Sequence, residues 1–239
     1  MPRTAERPKC LVEVAGRSIL ERLVQGFAAR GVKRFVVVAG YRSGQVRRAA
    51  TALARRHALD IRVVDNAAWS TTNNVYSLWV AREHIAAPFV LVDGDLVLGT
   101  TVVGALLVPD RVAVSNVRAE GSHAEIGADG QIVAVKPGRS EDPRLRKTVN
   151  AASFGRQSWD QGFRPAVEAM IERGRLTEFY EVGIDAAIRG GAARLLALEV
   201  DHGEWTEVDD ASDLATAEAR EPSETGSSSA WPEPSASHG

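Results

Sequence analysis

The sequence predicts an α/β fold of the Rossmann type, in which a mostly parallel, mixed sheet is flanked by helices. Short β-branched runs at residues 34–38 and 89–92 are typical of strands that are covered on both faces. Segments with the apolar spacing of helices alternate with these runs. Strands that alternate with helices are joined by right-handed crossovers, and neighbouring strands then run parallel.

The first half of the chain contains two cycles of this alternation. Gly31 is placed to end the first helix, Ser43 to cap the second and Pro88 to break the third. The predicted elements are helices at 18–30, from Ser43 to about Ala54 and at 73–85, and strands at 34–38, 61–64 and 89–92.

After about residue 110 the pattern changes to short strands joined by turns. Asp129-Gly130 is a strong hairpin signal, because both residues tolerate the backbone of a tight turn. The predicted elements are strands at 112–117, 124–128, 131–135, 149–154 and 195–200, and helices at 159–173, 178–189 and 211–220.

Composition limits both the organisation and the partners of the chain. Residues 1–220 are expected to form one domain, whereas 221–239 are rich in Pro, Ser, Gly and Glu and are expected to be disordered. The net charge of -2 gives no basic surface for nucleic acid. With Cys10 as the single cysteine, and with no apolar run of about 20 residues, we expect a cytoplasmic protein without membrane insertion.

Two acidic segments follow predicted strands. Asp93 and Asp95 flank a glycine at a strand end, where ligands of open α/β sheets bind, and carboxylates there suit Mg²⁺. A polar turn is the alternative. Residues 205–210 (WTEVDD) form the second segment, and Asp209 or Asp210 could equally cap the last helix. A cation that also binds a triphosphate needs more than one protein carboxylate. A metal site at which the two acidic segments meet would therefore make chemical sense.

Two further segments offer groups for a nucleotide. Lys9 is a compact positive charge suited to phosphate, although a surface lysine is the default. In residues 71–78 (TTNNVYSL), Asn73 and Asn74 can cap a helix or present donors and acceptors to a nucleobase.

Taken in order, these segments resemble the nucleotidyltransferase superfamily. The order is PKCLVEVAGRSIL at 8–20, TNNVYSL, LVDGDLVL at 91–98 and WTEVDD, and it spans residues 8 to about 219. The asparagine-rich segment is most similar to the phosphocholine cytidylyltransferase branch and its phosphonate and inositol-phosphate relatives.

The resemblance implies roles for individual residues. Lys9 matches the lysine that supports phosphate, and Asp95 and Asp209 match the two aspartates that bind Mg²⁺. The implied nucleotide contacts are Asn66, Asn73, Asn74, Ser77 and Asp93. Glu178 and Tyr180 fall in the region that shapes the acceptor pocket.

The activity implied by the resemblance is transfer of a cytidylyl group from CTP to a small phosphorylated alcohol or phosphonate, with release of pyrophosphate. Two alternatives stay open. One is a sugar-1-phosphate transferase that uses another nucleoside triphosphate, and the other is a degenerate nucleotide-binding protein without activity. The acceptor is not determined by the sequence, and a homodimer is an open alternative for the assembly.

One departure from the family bears on activity. Relatives carry a strand and a glycine-rich loop before the proline-lysine motif, whereas seven residues without glycine precede Pro8 here. That loop wraps the triphosphate with backbone N–H groups. We expect a misassigned start or a truncated chain, little activity in the short form, and unpaired edges on the strands beside the missing one.

Overall fold

The computed structural model describes residues 6–117 and 120–220, so the expectation about residues 221–239 lies outside the described part. The helices are α1 Ile19–Ala28, α2 Ser43–His57, α3 Asn74–Ala81, α4 Thr100–Ala105, α5 Arg164–Glu172, α6 Tyr180–Arg189 and α7 Ala211–Arg220. The strands are β1 Glu13–Val14, β2 Arg17–Ser18, β3 Arg34–Ala39, β4 Asp60–Asp65, β5 Phe89–Val92, β6 Leu96–Leu98, β7 Arg111–Ser115, β8 His123–Ile126, β9 Ile132–Lys136, β10 Leu145–Phe154, β11 Leu196–Glu199 and β12 Trp205–Glu207.

The largest sheet is organised around β10. Its strand order is β11-β7-β10-β8-β9, and β5 also pairs with β10. β10 runs antiparallel to β5, β7 and β8, whereas β7 and β11 are parallel. The pairing of β10 with β7 shifts register between Thr148 and Ala152, and Asn150 there has a left-handed φ of 52°. The mixed sheet between helices confirms the predicted fold class.

A separate parallel pair is formed by β3 and β4. Among the described residues, β3 pairs with β4 alone and β5 with β10 alone, so each of the two strands has an edge without a partner strand. Unpaired edges on neighbouring strands were expected from the sequence. Phe35 of β3 and Val90 of β5 nevertheless pack against the same apolar cluster.

The two faces of the large sheet bury separate apolar clusters. On one face, Phe154 stacks on Phe163 with ring centroids 4.6 Å apart, beside α3, α5 and α6. On the other face, Ala113 and Val149 pack with Trp205 and residues of α1 and α4. The aromatic side chains supply much of the first cluster, and burial of each contributes about 2–3 kcal/mol.

Three predicted helices differ in the structure: one in its capping, one in its end and one in its start. The second helix does begin at Ser43, but the residue before it is Arg42 with φ 49° and no side chain caps the helix. The helix predicted at 73–85 ends at Ala81 and tightens into a 3₁₀ turn ahead of Pro88, which disfavours helical backbone in the residue before it. The segment predicted as one helix at 159–173 opens with a π-helix, because Pro165 has no N–H to continue the bonding.

The short elements were not predicted. β1 and β2 form a small hairpin, α4 has six residues, and β6 pairs with β12 over three residues. Strands of two or three residues are too short to show alternation. No helix in the described ranges has both the length and the apolar character needed to cross a bilayer.

Candidate functional site

The antiparallel pair of β6 and β12 brings the two acidic segments together. In its register, Glu207 lies opposite Leu96, and the Val208 amide donates to the Asp95 carbonyl at 2.9 Å. Asp95 lies just before β6, and Asp209 lies just after β12. Because the strands run antiparallel, these two positions meet at the same end of the pair.

Three carboxylates converge at this point. Asp95, Glu207 and Asp209 each offer an oxygen, and the three oxygens lie within 4.8 Å of one another. Asp95 Oδ1 is buried and has no hydrogen-bond partner among the described residues. An unsatisfied buried carboxylate oxygen within a set of hard oxygen donors fits a small divalent cation such as Mg²⁺.

Lys9 is one cation that the chain itself places at this cluster. It lies in the 3₁₀ turn Lys9–Leu11, and its Nζ contacts Asp95 Oδ2 at 3.4 Å and hydrogen-bonds to Asp209 Oδ1. Burial lowers the pKa of the Lys9 ammonium, but the hydrogen bond to Asp209 and the charges of Asp95 and Asp209 outweigh it, so the pKa is raised. Lys9 therefore stays charged beside two carboxylates.

A second acidic group lies behind the cluster and contains Asp93, Tyr180 and Glu181. Burial raises the pKa of Asp93 well above its usual range, and the charges of Glu181 and Asp95 act in the same direction. Burial likewise raises the pKa of Glu181 to about 7. Glu181 Oε2 and the Tyr180 hydroxyl have no hydrogen-bond partner in the described part of the chain. Asp93 and Tyr180 therefore hold their protons tightly, whereas the charge of Lys147 partly offsets the rise in the pKa of Glu181.

Asn74 connects this acidic group to the start of α3. Its Oδ1 accepts a hydrogen bond from the Tyr180 amide at 2.8 Å, and its side chain also lowers the pKa of Asp93. Asn73 caps the same helix, with its Oδ1 accepting from the Asn74 amide at 2.7 Å. Asn73 therefore caps α3, whereas Asn74 reaches the site.

Asn66 lies in the loop that precedes α3, and Ser77 lies within α3. The Asn66 side chain is buried, donates to Thr72 Oγ1 at 3.3 Å and to Ser77 Oγ at 3.2 Å, and accepts from the Ala68 amide at 3.0 Å. These bonds fix the course of the loop. A contact of Asn66 or Ser77 with a nucleobase stays a prediction.

The two residues predicted for the acceptor pocket lie in different surroundings. The Glu178 carboxylate pairs with Arg175 at 3.1 Å on the surface, whereas Tyr180 is buried beside Asp93. Burial raises the pKa of the Tyr180 hydroxyl well above its usual range. Of the two, only Tyr180 belongs to the buried acidic group.

Sequence reasoning missed four residues of this region: Lys147, Asn150, Glu181 and Glu207. Lys147 Nζ lies 3.4 Å from Glu207 Oε2, and Asn150 Nδ2 donates to Glu207 Oε1 at 3.1 Å. A signal for Glu207 was present, because residues two apart in extended chain point to the same side, and Asp209 is two residues on. Lys147 and Asn150 carry no comparable signal.

Comparison with known proteins places the chain in a family. Residues 2–127 match the profile of the MobA-like NTP transferase domain, which is more than half of the 239 residues. The chain belongs to this family of nucleotidyltransferases. The family match ends before β10 and β12, so it includes Lys9, Asp93 and Asp95 but neither Glu207 nor Asp209.

Two curated relatives extend the comparison of this nucleotidyltransferase. It is 29% identical over 227 residues to the CMP-5'-(3-aminopropyl)phosphonate synthase of Streptomyces rubellomurinus, covering 91% of this chain and 36% of the relative. It is 33% identical over 119 residues to the bifunctional IPC transferase and DIPP synthase of Aquifex aeolicus, covering 47% of this chain and 27% of the relative. The chain thus spans about a third of the length of these relatives.

A solved structure supports the fold. The CTP:phosphocholine cytidylyltransferase LicC of Streptococcus pneumoniae superposes on the nucleotidyltransferase with a TM-score of 0.74 and 16% identity, covering 91% of each chain. At this identity the likeness shows the fold alone. The sequence resemblance to nucleotidyltransferases is therefore confirmed by family and by fold.

Proposed function

We propose that this chain transfers a cytidylyl group from CTP to a small phosphorylated alcohol or phosphonate in a Mg²⁺-dependent reaction that releases pyrophosphate. The observation that carries the proposal is the convergence of Asp95, Glu207 and Asp209 within 4.8 Å, with Lys9 bound to two of them. A triphosphate reaction needs a divalent cation and a protein cation at one place. The three carboxylates would hold the first, and Lys9 is the second.

The choice of cytidine rests on the relatives. The Streptomyces relative is named for a product that contains CMP, and the superposed Streptococcus structure is a CTP-dependent enzyme. Both relatives modify acceptors that carry a phosphonate or phosphate group. The chain spans 36% of the Streptomyces relative, so we do not assign the activity of that whole protein to this chain.

The reaction requires no protein nucleophile. An oxygen of the acceptor phosphate or phosphonate forms a bond to the α-phosphorus of CTP. The bond from that phosphorus to the oxygen bridging it to the β-phosphorus breaks, and pyrophosphate leaves with the electron pair. The acceptor oxygen is already ionised near neutral pH, so a general base is unnecessary.

The side chains of the cluster act by holding charge in place. Asp95, Glu207 and Asp209 would hold Mg²⁺, which when bound neutralises the charge that develops on the phosphate oxygens. Lys9 Nζ lies beside the same carboxylates and is placed to bind a phosphate oxygen. The three carboxylates and Lys9 lie together without a substrate, and electrostatic preorganisation of this kind is usually the largest contribution to the rate.

The test is pyrophosphate release by the purified chain with Mg²⁺ and CTP. Acceptors to compare are phosphocholine, phosphoethanolamine, 3-aminopropylphosphonate and inositol 1-phosphate. We expect low but measurable turnover with at least one acceptor and at least tenfold preference for CTP over ATP, GTP, UTP and dTTP. Preference for another nucleotide with a sugar 1-phosphate would instead support the sugar-phosphate alternative.

Loss of catalysis is the remaining alternative. Isothermal titration of CTP with Mg²⁺ separates it from the transferase, because binding without turnover toward any acceptor would favour a degenerate nucleotide-binding protein. The titration should be run on the same protein batch as the turnover assay, so that unfolded protein is not mistaken for an inactive one.

A further inference from the structure

Lys147 is a buried lysine next to the carboxylate cluster. Its side chain is 3% exposed, and its Nζ donates to the Thr148 carbonyl at 3.2 Å and lies 5.3 Å from the centre of the Trp205 ring. A lysine is rarely buried without a partner, because removal of its charge from water is costly. The charged partner of Lys147 is Glu207, with Nζ 3.4 Å from Oε2.

Asn150 holds the other oxygen of the same carboxylate. Its Nδ2 donates to Glu207 Oε1 at 3.1 Å, and its backbone carbonyl accepts from the Asp93 amide at 3.1 Å. Asn150 has a left-handed backbone, which asparagine tolerates better than most residues. Both oxygens of Glu207 are therefore engaged by side chains of β10.

The irregularity of β10 makes this arrangement feasible. The register with β7 shifts between Thr148 and Ala152, and such shifts bend a strand and change the direction of its side chains. A Cβ at Gly121 would lie 3.2 Å from Lys147 Nζ, so a glycine there leaves space for the ammonium. The local backbone therefore leaves space for a buried lysine. The packing of apolar side chains alone would not require a lysine here.

We propose that Lys147, together with Asn150, is a positioning residue that fixes the Glu207 carboxylate for a divalent cation shared with Asp95 and Asp209. The proposal rests on the proposed function for its metal, but it concerns how this chain prepares the site. Residues that orient metal ligands commonly contribute about 10–100-fold to metal affinity.

Lys147 could act as a nearby positive charge or as a residue that orients Glu207, and these two roles predict opposite effects of Lys147→Met on cation binding. If Lys147 acted only as a nearby positive charge, Lys147→Met would strengthen binding of a cation, because a repulsive charge is removed. If it positions Glu207, Lys147→Met weakens binding although the repulsion is gone. Asn150→Gly keeps the left-handed backbone accessible and changes no charge, so it tests orientation alone.

The experiment measures binding of Mn²⁺ in place of Mg²⁺, by electron paramagnetic resonance of the free ion, with the full chain and without substrates. We expect Lys147→Met and Asn150→Gly each to weaken Mn²⁺ binding about tenfold. Lys147→Arg should retain affinity within about threefold, because a guanidinium can still donate to Glu207. Lys136→Met is the matched control, since Lys136 of β9 pairs with Glu125 of β8 at 2.9 Å.

A double-mutant cycle tests whether Lys147 acts through Glu207. In a Glu207→Gln background, Lys147→Met should cause no further loss of Mn²⁺ affinity, whereas independent contributions would add. Thermal unfolding of each variant identifies any that fail to fold, and Asn150→Gly and Lys147→Arg then provide the decisive comparison.

The outcomes separate this inference from the proposed function. Mn²⁺ affinity of Lys147→Met and Asn150→Gly equal to or tighter than wild type would overturn the positioning role, even in an active transferase. Wild-type protein without Mn²⁺ binding would overturn it as well. A chain that binds Mn²⁺ with the expected losses but turns over no nucleotide would refute the transferase and leave the positioning role standing.

Discussion

The backbone amide of Val208 donates a hydrogen bond to the carbonyl oxygen of Asp95 at 2.9 Å. This single bond closes the end of the β6–β12 pair and holds two acidic segments from distant parts of the chain side by side. Asp95 and Asp209 are fixed by backbone pairing, and their side chains need little further ordering to share a ligand. Substitutions at the cluster should therefore change binding and chemistry more than folding.

Asp95→Ala and Asp209→Ala should each lower turnover by about 100-fold or more, because each removes a proposed ligand of the cation that would neutralise the reacting phosphates. The measurement is pyrophosphate release at saturating CTP, with thermal unfolding to check the fold. Asp60→Ala is the control, since Asp60 is an exposed aspartate on β4 that pairs with Arg34 of β3 at 3.8 Å. Wild-type turnover in either cluster variant would remove that residue from the metal site.

Glu207→Gln should raise the Mg²⁺ concentration needed for half-maximal turnover about tenfold, because an amide oxygen is a weaker ligand than a carboxylate. A Mg²⁺ titration of the rate at fixed CTP measures the change. Glu199→Gln alters an exposed glutamate on nearby β11, which pairs with Arg146 at 3.5 Å, and should leave the titration unchanged. An unchanged Mg²⁺ requirement in Glu207→Gln would exclude Glu207 as a ligand.

Glu181→Gln should change how stability depends on pH. Burial raises the folded pKa of Glu181 to about 7 from 4.5, so its contribution to stability is complete below about pH 4.5 and is lost as pH rises through about 7. The variant lacks this loss, and relative to wild type it should gain on the order of 3 kcal/mol between pH 4.5 and pH 8.

Urea unfolding at pH 5 and pH 8, with EDTA present, measures this difference. Asp93 also favours the acid side. Because the Glu181 charge raises the pKa of Asp93, Glu181→Gln also reduces the pH-dependent contribution of Asp93, which flattens the profile further. Glu178→Gln removes the surface carboxylate that pairs with Arg175 and should retain the wild-type pH dependence. Parallel pH profiles for wild type and Glu181→Gln would contradict the prediction.

Asn66→Ala should destabilise the loop before α3. The substitution removes three hydrogen bonds of a side chain that is 3% exposed, and we expect a loss of about 2 kcal/mol in the free energy of unfolding. Thr71→Ala is the control, because Thr71 is exposed in the same loop and donates one hydrogen bond to the Ala68 carbonyl. Equal losses in both variants would show that burial of Asn66 contributes nothing.

The sequence predicted the long elements well and the short ones poorly. β3, β5 and α1 were located to within two residues, because each buries an apolar run with a clear period. β6 and β12 were missed, since three-residue strands are defined by the partner they find. The acidic residues beside them were nevertheless recognised, because a carboxylate after a buried strand is unusual enough to be noticed.

Within the site, the residues that fit the cation were predicted better than those that surround them. Lys9, Asp95 and Asp209 were named from the resemblance and lie together in the structure. Glu178 was named for the acceptor pocket, but it lies on the surface before α6, whereas Glu181 lies in the first turn of α6 and is buried. The sequence does not show which side of this turn faces the site. Asn74 was named for a nucleotide and holds the Tyr180 amide.

The sequence by itself predicted the α/β class and the two acidic segments, since apolar periodicity and isolated acidic segments are local properties of the chain. Only the tertiary structure shows that Lys147 and Asn150 both contact the Glu207 carboxylate. That contact depends on a register shift in β10 and on the alignment of β6 with β12, and both arise from long-range strand pairing that leaves no trace in the spacing of nearby residues.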